Sequence, residues 1–255
     1  MTSLAQTTAD RPAEITASEQ QARVDCAAGH RLCDTFGWSQ LIYNHISQRI
    51  PDQPDHFLIK PHDLMFNEVS ASNLAKLPLG GVEEFKAQNV NSSGFAIHSA
   101  ILEARPDVNA VVHIHTEAGM AISAHKDGLK PMTQAALRFH NRIGYHGYEG
   151  FAELDEGPAL VRDLGNYEAL ILRNHGLLMA CATMGEAISK LHFLLTAIRS
   201  QLLLEAAGED KILLAPEDMR EHAAQQWDKG EARRAAEEWP AMLRWMDRVD
   251  PSFRN

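Results

Sequence analysis

Val111-Val112-His113-Ile114-His115 is a run of β-branched residues interrupted by two histidines at alternate positions. A run of this kind reads as a short buried strand. Side chains on a strand alternate between faces, so His113 and His115 point the same way, about 7 Å apart along the backbone. Val112 and Ile114 then point into an apolar layer. Two imidazoles on one face can grip one metal ion, but a third ligand has to come from elsewhere. Asn174-His175-Gly176 offers one, at the end of a second apolar run, Ala169-Leu170-Ile171-Leu172. Three histidines leave a fourth position open, which is the arrangement of a catalytic rather than a structural zinc-type site. Both segments read as strand ends entering loops, where α/β proteins place their chemistry.

The chain around this element has 255 residues, 45% hydrophobic and 23% charged, enough to bury a substantial core. Its net charge of −10 argues against nucleic acid as a partner, since that binding needs a basic surface. Three cysteines without a Cys-x-x-Cys pair fit a reducing compartment. No apolar run has the length of a membrane span, and the first twenty residues lack the core of a signal peptide. The expectation is a cytoplasmic protein with no membrane partner.

Residues 1–16 are Thr-, Ala- and Ser-rich without apolar periodicity and read as a mobile tail. A helix is predicted from Ser18 to Phe36, with Cys26 and Cys33 on its inner face and Gly37 as its cap. Phe57 to Ile59 reads as a strand, Gly80-Gly81 as a turn, and Gly94 to Ala104 as a helix. Short helices are expected over Glu117–His125, Thr133–Phe139 and Pro158–Leu164, with Arg142–Gly150 irregular. The apolar runs flanking Asn174-His175-Gly176 pair as a hairpin. Thr183-Met184-Gly185-Glu186 has the form of a capping box opening a long helix that closes at Gly208. From Pro216 the tail is charged and helical and carries Trp227, Trp239 and Trp245, to be packed on the core or at a subunit contact. The division is a tail over 1–16, one domain over 17–208 and a helical extension over 209–255.

Five stretches, in order, resemble the class II aldolase/adducin family, and its adducin-type branch most. They are Gly37 to Ile46, Gly94 to Ile101, Ala104 to Val108, Val111 to Thr116 and Ile171 to Leu177. The resemblance implies a three-layer α/β/α fold with a mainly antiparallel central sheet. It implies a divalent metal, zinc first and manganese or iron as alternatives, held by His113, His115 and His175. It also implies a homotetramer with active sites at subunit interfaces. Where the aldolases place a carboxylate after a Ser-Ser pair, Ser92-Ser93 is followed here by Gly94. Their phosphate-binding positions read Tyr43-Asn44, His62-Asp63 and Ser92-Ser93, and only the last pair is intact. Their mobile tyrosine falls near 142–150, with Tyr145 or His146 as its match.

The expected activity is therefore a metal-dependent carbon–carbon lyase acting through a stabilised enolate. Retro-aldol cleavage needs a base for a hydroxyl proton, whereas decarboxylation does not. Loss of the carboxylate at position 94 points to decarboxylation, or to an aldol reaction whose base has moved to Glu117, Tyr145, His146 or His140. Asn44, Ser92, Ser93 and Arg173 are the candidate substrate contacts, with Arg49 and Arg142 as further carboxylate partners. The bulk of Tyr43 and His62 and the charge of Asp63 point to a small, unphosphorylated hydroxy or keto acid. Two other classes remain. One is a non-haem-iron oxygenase, although the usual iron triad contains a carboxylate. The other is an adducin-like oligomerising scaffold, which a compact chain without adducin's long basic C-terminal extension argues against.

Overall fold

The computed structural model describes residues 15–150 and 154–255. The tail expected over 1–16 therefore falls, up to residue 14, outside the described residues. The strands are β1 (His45–Ile50), β2 (Gln53–Ile59), β3 (Ala75–Pro78), β4 (Ala110–Ile114), β5 (Ile143–His146), β6 (Ala169–Leu172) and β7 (Gly176–Cys181). They form one seven-stranded sheet in the order β3-β2-β1-β4-β7-β6-β5. Every pairing is antiparallel except β5 with β6.

The helices are α1 (Ala17–Thr35), α2 (Val82–Lys86), α3 (Ser92–Ala104), α4 (Glu117–Ser123), α5 (Gln134–Leu137), α6 (Gly157–Leu164), α7 (Met184–Ala206), α8 (Glu217–Lys229) and α9 (Glu231–Val249). Two buried cores separate them into layers. Ile46, Val112, Ile114, Ile171, Leu177 and Met179 pack against α1 and α7. Val111, Leu170, Leu172, Leu178 and Ala180 pack against α3 and α6 on the other face. The fold is a three-layer α/β/α arrangement around a mostly antiparallel sheet. The period-2 alternation of β4 decides which side receives the histidines. With Val112 and Ile114 turned to α1 and α7, His113 shares the α3 side with Val111.

Helix starts follow their caps. Thr116 Oγ1 accepts from Gly119 N at 3.0 Å and turns the chain from strand to helix one residue after His115. Asn91 Oδ1 accepts from Gly94 N at 2.9 Å and starts α3. Thr183 Oγ1 accepts from Glu186 N at 3.2 Å at the head of α7.

The stretch read as irregular contains β5, an edge strand parallel to β6. The tail tryptophans are used inside the chain. Trp227 packs on Phe193, Trp239 Nε1 donates to Asp25 at 3.1 Å, and Trp245 meets Phe36 edge-on. Among the described residues, no helix is long and apolar enough to cross a membrane.

Candidate metal centre and cavity

His113 and His115 stand at the end of β4, and His175 stands in the β6–β7 turn. One ring nitrogen of each lies within 4.8 Å of those of the other two. The turn is held by its backbone. Arg173 N donates to His146 O at 2.8 Å, Asn174 N to Ser123 O at 3.2 Å, and His175 N to Leu172 O at 3.1 Å. Asn174 adopts φ of 56°, a left-handed conformation that asparagine tolerates better than most residues. Gly176 follows because a Cβ there would lie 2.6 Å from Ile114 O and 2.9 Å from His115 Cδ2.

The outer nitrogens of the strand pair are committed. His113 Nδ1 lies 3.0 Å from Leu177 O, and His115 Nδ1 lies 2.9 Å from Gln40 Oε1. Carbonyl oxygens only accept, so both Nδ1 atoms carry the proton and both Nε2 atoms are bare lone pairs. Those two Nε2 atoms sit 2.8 Å apart. Two lone pairs at that distance repel unless a proton or a cation lies between them. Burial, followed by the neighbouring histidines, pushes His113 well below the ordinary histidine range. Burial and His175 push His115 down to about 4. A proton is thus disfavoured at neutral pH, and the donor set fits a divalent cation with imidazole preference. The Nδ1–H to carbonyl contacts are those that orient histidine ligands in metal sites.

The three histidines open into a cavity of about 700 Å³. Gln40, Tyr43, His45, His62, Asn91, Ser92, Ser93, Ile97, Met120, Tyr148, Gly150 and Asn174 complete its wall. Among the described residues the wall has no Asp, Glu, Lys or Arg. Lys60 shapes it from behind. Its ammonium donates to the carbonyls of Ile42, Pro61, His62 and Leu64 at 2.8 to 3.2 Å, tying together the loops that carry Tyr43 and His62.

Ser92 and Ser93 line the cavity as expected, and the other proposed contacts do not. Asn44 is fully buried behind the wall, with neither amide atom partnered. Arg173 donates to His125 O at 2.7 Å and covers the Tyr145 ring at 4.4 Å. Tyr145 Oη accepts from Leu129 N at 3.0 Å, so the ring and hydroxyl are both occupied away from the cavity. His146 is wedged between Asp163 and Glu156 at 2.8 and 2.9 Å, with no ring nitrogen free. Glu117 is exposed on α4, outside the wall, and His140 is outside it too. Arg49 is spent on carbonyls and Arg142 on Glu221 and Asp228. Asp63 accepts from Asn89 at 2.6 Å and does not face the cavity, so its charge is not available to repel a phosphate there.

Two wall residues able to donate a proton, Tyr148 and His45, are among those not singled out as site residues from sequence. Tyr148 lies two residues beyond β5. His45 opens β1 directly opposite His113 in register.

Residues 24–202 match the model of the class II aldolase and adducin N-terminal domain. A Caulobacter vibrioides chain, described only by class as an aldolase class 2 protein, is 41% identical over 242 residues, 94% of each chain. The α-adducin of Rattus norvegicus is 44% identical over 203 residues, which are 77% of this chain and 28% of that one. A crystal structure of an aldolase II superfamily protein from Pseudomonas syringae superposes with a TM-score of 0.88 at 39% identity, covering 94% of this chain and 98% of the other. With five ordered sequence stretches, the sheet order and the histidine cluster all in place, the chain belongs to the class II aldolase and adducin N-terminal domain family.

Proposed function

We propose that this chain is a divalent-metal-dependent lyase that breaks a carbon–carbon bond in a small, unphosphorylated hydroxy or keto acid. His113, His115 and His175 would hold the metal, with zinc foremost for an all-imidazole set. When bound, the ion supplies Lewis acidity toward substrate oxygens that gain negative charge. The remaining work falls to the chain. Ser92 and Ser93 begin the 13-residue helix α3, whose N-terminus favours an anionic group such as a carboxylate. Tyr43 and His62 narrow the same end of the cavity.

The observation that carries this reading is three convergent imidazoles in a cavity whose described wall has no carboxylate. Decarboxylation suits such a wall. The bond to the carboxylate breaks, carbon dioxide leaves, the electron pair stays on the substrate, and a proton returns afterwards. No base is needed for bond breaking. Tyr43, Tyr148 and His62 are wall residues with a proton to return. A homotetramer with sites at subunit interfaces is part of the proposal. Leu41, Tyr43 and Tyr148 are all more than half exposed, with Tyr43 and Tyr148 in the cavity wall, as suits cover by a second copy.

The test is metal analysis of protein purified without chelator, then a paired screen of hydroxy and keto acids against sugar phosphates, read by carbon dioxide and aldehyde release. About one metal per chain and turnover of an unphosphorylated acid are expected. A chain without metal after metal-replete growth sinks the reading. The α-adducin likeness supports a scaffold as the second reading, which predicts a stable oligomer with neither metal nor turnover.

A further inference from the structure

His45, His98 and Ser47 form a hydrogen-bonded row behind the cavity wall. His45 and Ser47 alternate along β1 on the face toward α3, and His98 comes from α3 itself. His45 Nδ1 lies 2.8 Å from His98 Nε2, and His98 Nδ1 bonds Ser47 Oγ. His98 and Ser47 are fully buried, and His45 is 3% exposed.

The row has a direction. Among the described residues, Ser47 Oγ has no hydrogen-bond partner other than His98 Nδ1. A buried hydroxyl proton without an acceptor is costly, so Ser47 donates to His98 Nδ1. His98 Nε2 must then carry the proton and donate to His45 Nδ1. That leaves His45, which lines the cavity, with its proton on Nε2.

Position 94 belongs to the same device. A Cβ on Gly94 would lie 3.0 Å from His45 Cδ2 and 3.3 Å from Nε2. The space of a side chain at 94 is filled by the imidazole edge, so glycine there and histidine at 45 are one structural choice.

We propose that His45 offers its Nε2–H as a neutral hydrogen-bond donor to the substrate oxygen that gains negative charge, with His98 and Ser47 as positioning residues that fix its tautomer. The substrate contact rests on the lyase reading above, whereas the tautomer does not. A preset donor of this kind favours the charge of the transition state without reorganising. Being neutral, it does not compete with a cation on the neighbouring histidines.

Two measurements test the proposal. Nitrogen-15 histidine NMR on the protein as purified reads which ring nitrogen holds the proton, with His45→Gln supplying the assignment. His45 and His98 are both expected protonated on Nε2, and Ser47→Ala should release both into mixed tautomers. A proton on His45 Nδ1 in the wild type overturns the relay.

The second measurement titrates the zinc-loaded protein with oxalate, a planar unphosphorylated dianion, with metal content measured in every variant. His45→Phe should bind oxalate about tenfold or more weakly at unchanged metal content, as expected for loss of a hydrogen bond to a charged group. His45→Gln, whose amide can still donate, should recover most of that affinity. Equal affinity in wild type and His45→Phe overturns the substrate contact. If His45→Phe fails to fold, His45→Gln and the tautomer decide. Lack of zinc binding in the wild type would instead count against the lyase reading and leave the tautomer result standing.

Discussion

Gln40 is the side chain on which the metal centre most depends without belonging to it. Of the two strand histidines, His113 is oriented by a backbone carbonyl, which no substitution removes. His115 is oriented by Gln40 Oε1, 2.9 Å from its Nδ1. Gln40→Leu keeps the volume and deletes the acceptor. Loss of an outer partner of a histidine ligand weakens metal binding by roughly 10- to 100-fold, about 1.4 to 2.8 kcal/mol. His115 is only partly buried, so water can replace the lost acceptor, and the lower end, about tenfold, is expected. Gln40→Glu should move the other way or not at all, because a carboxylate acceptor raises the basicity of the ring. The assay is competition for zinc with a chromophoric chelator at pH 7, which needs no substrate, with thermal melts to show that the fold survives. If Gln40→Leu holds zinc within twofold of wild type, Gln40 does not orient His115, and the tautomer assigned to His115 loses its basis.

Gly176→Ala would drive a Cβ to 2.6 Å from Ile114 O and 2.9 Å from His115 Cδ2, so a loss of about 1–3 kcal/mol in urea melts and weaker zinc retention are expected together. Gly94→Ala crowds the His45 ring at 3.0 Å; a fall in oxalate affinity at unchanged zinc content is expected, and unchanged affinity would show that the ring gives way freely. Burial holds His30 down to about 3, below its ordinary 6.5, so the unfolded chain gains a proton that the folded chain refuses as pH falls between those values. Its contribution is fully present above pH 6.5 and is lost at about 1.4 kcal/mol per unit below it, about 2 kcal/mol by pH 5. The stability of His30→Met should fall less than wild type between pH 7 and 5, and parallel curves would refute the assignment.

What was legible in the sequence is what local periodicity and turn chemistry dictate. Alternation in Val111 to His115 placed the histidines on one face, and Asn174-His175-Gly176 marked a turn whose positive φ asparagine accepts. The cap Thr183 was readable for the same reason. β5 was not, because four residues containing a glycine have no usable period, and a parallel edge pairing is made far from its own neighbours in sequence. Without that strand, Tyr145 and His146 looked free to serve the cavity. Inside it, both are consumed by Leu129, Arg173, Asp163 and Glu156, and Tyr148 in the loop beyond reaches the wall. The missing signal for His45 was the alternation of His45 and Ser47 against Ile46, which becomes visible once β1 is taken as a strand.

The charge inventory of the cavity bears on which anion it prefers. Every titratable wall residue among those described is a histidine or a tyrosine. Four of the five wall histidines, His45, His113, His115 and His175, are held below the ordinary range by burial, so they are neutral at pH 7. A bound divalent ion would then be the dominant charge at that end of the cavity, assisted by the partial charge at the α3 N-terminus. Without a lysine or arginine in the wall, a phosphate dianion added to a carboxylate would leave net negative charge in a partly closed space. Two such charges 5 Å apart at an effective dielectric near 20 repel by roughly 3 kcal/mol per unit pair. With Asp63 turned to Asn89, discrimination against phosphate falls to this uncompensated charge and to the bulk of Tyr43 and His62. A monocarboxylate would add no negative charge beyond what a divalent ion offsets, and when its carboxylate departs as neutral carbon dioxide the negative charge stays behind on the substrate. The electron pair left behind needs a neutral donor more than a base, and the wall supplies such a donor at His45.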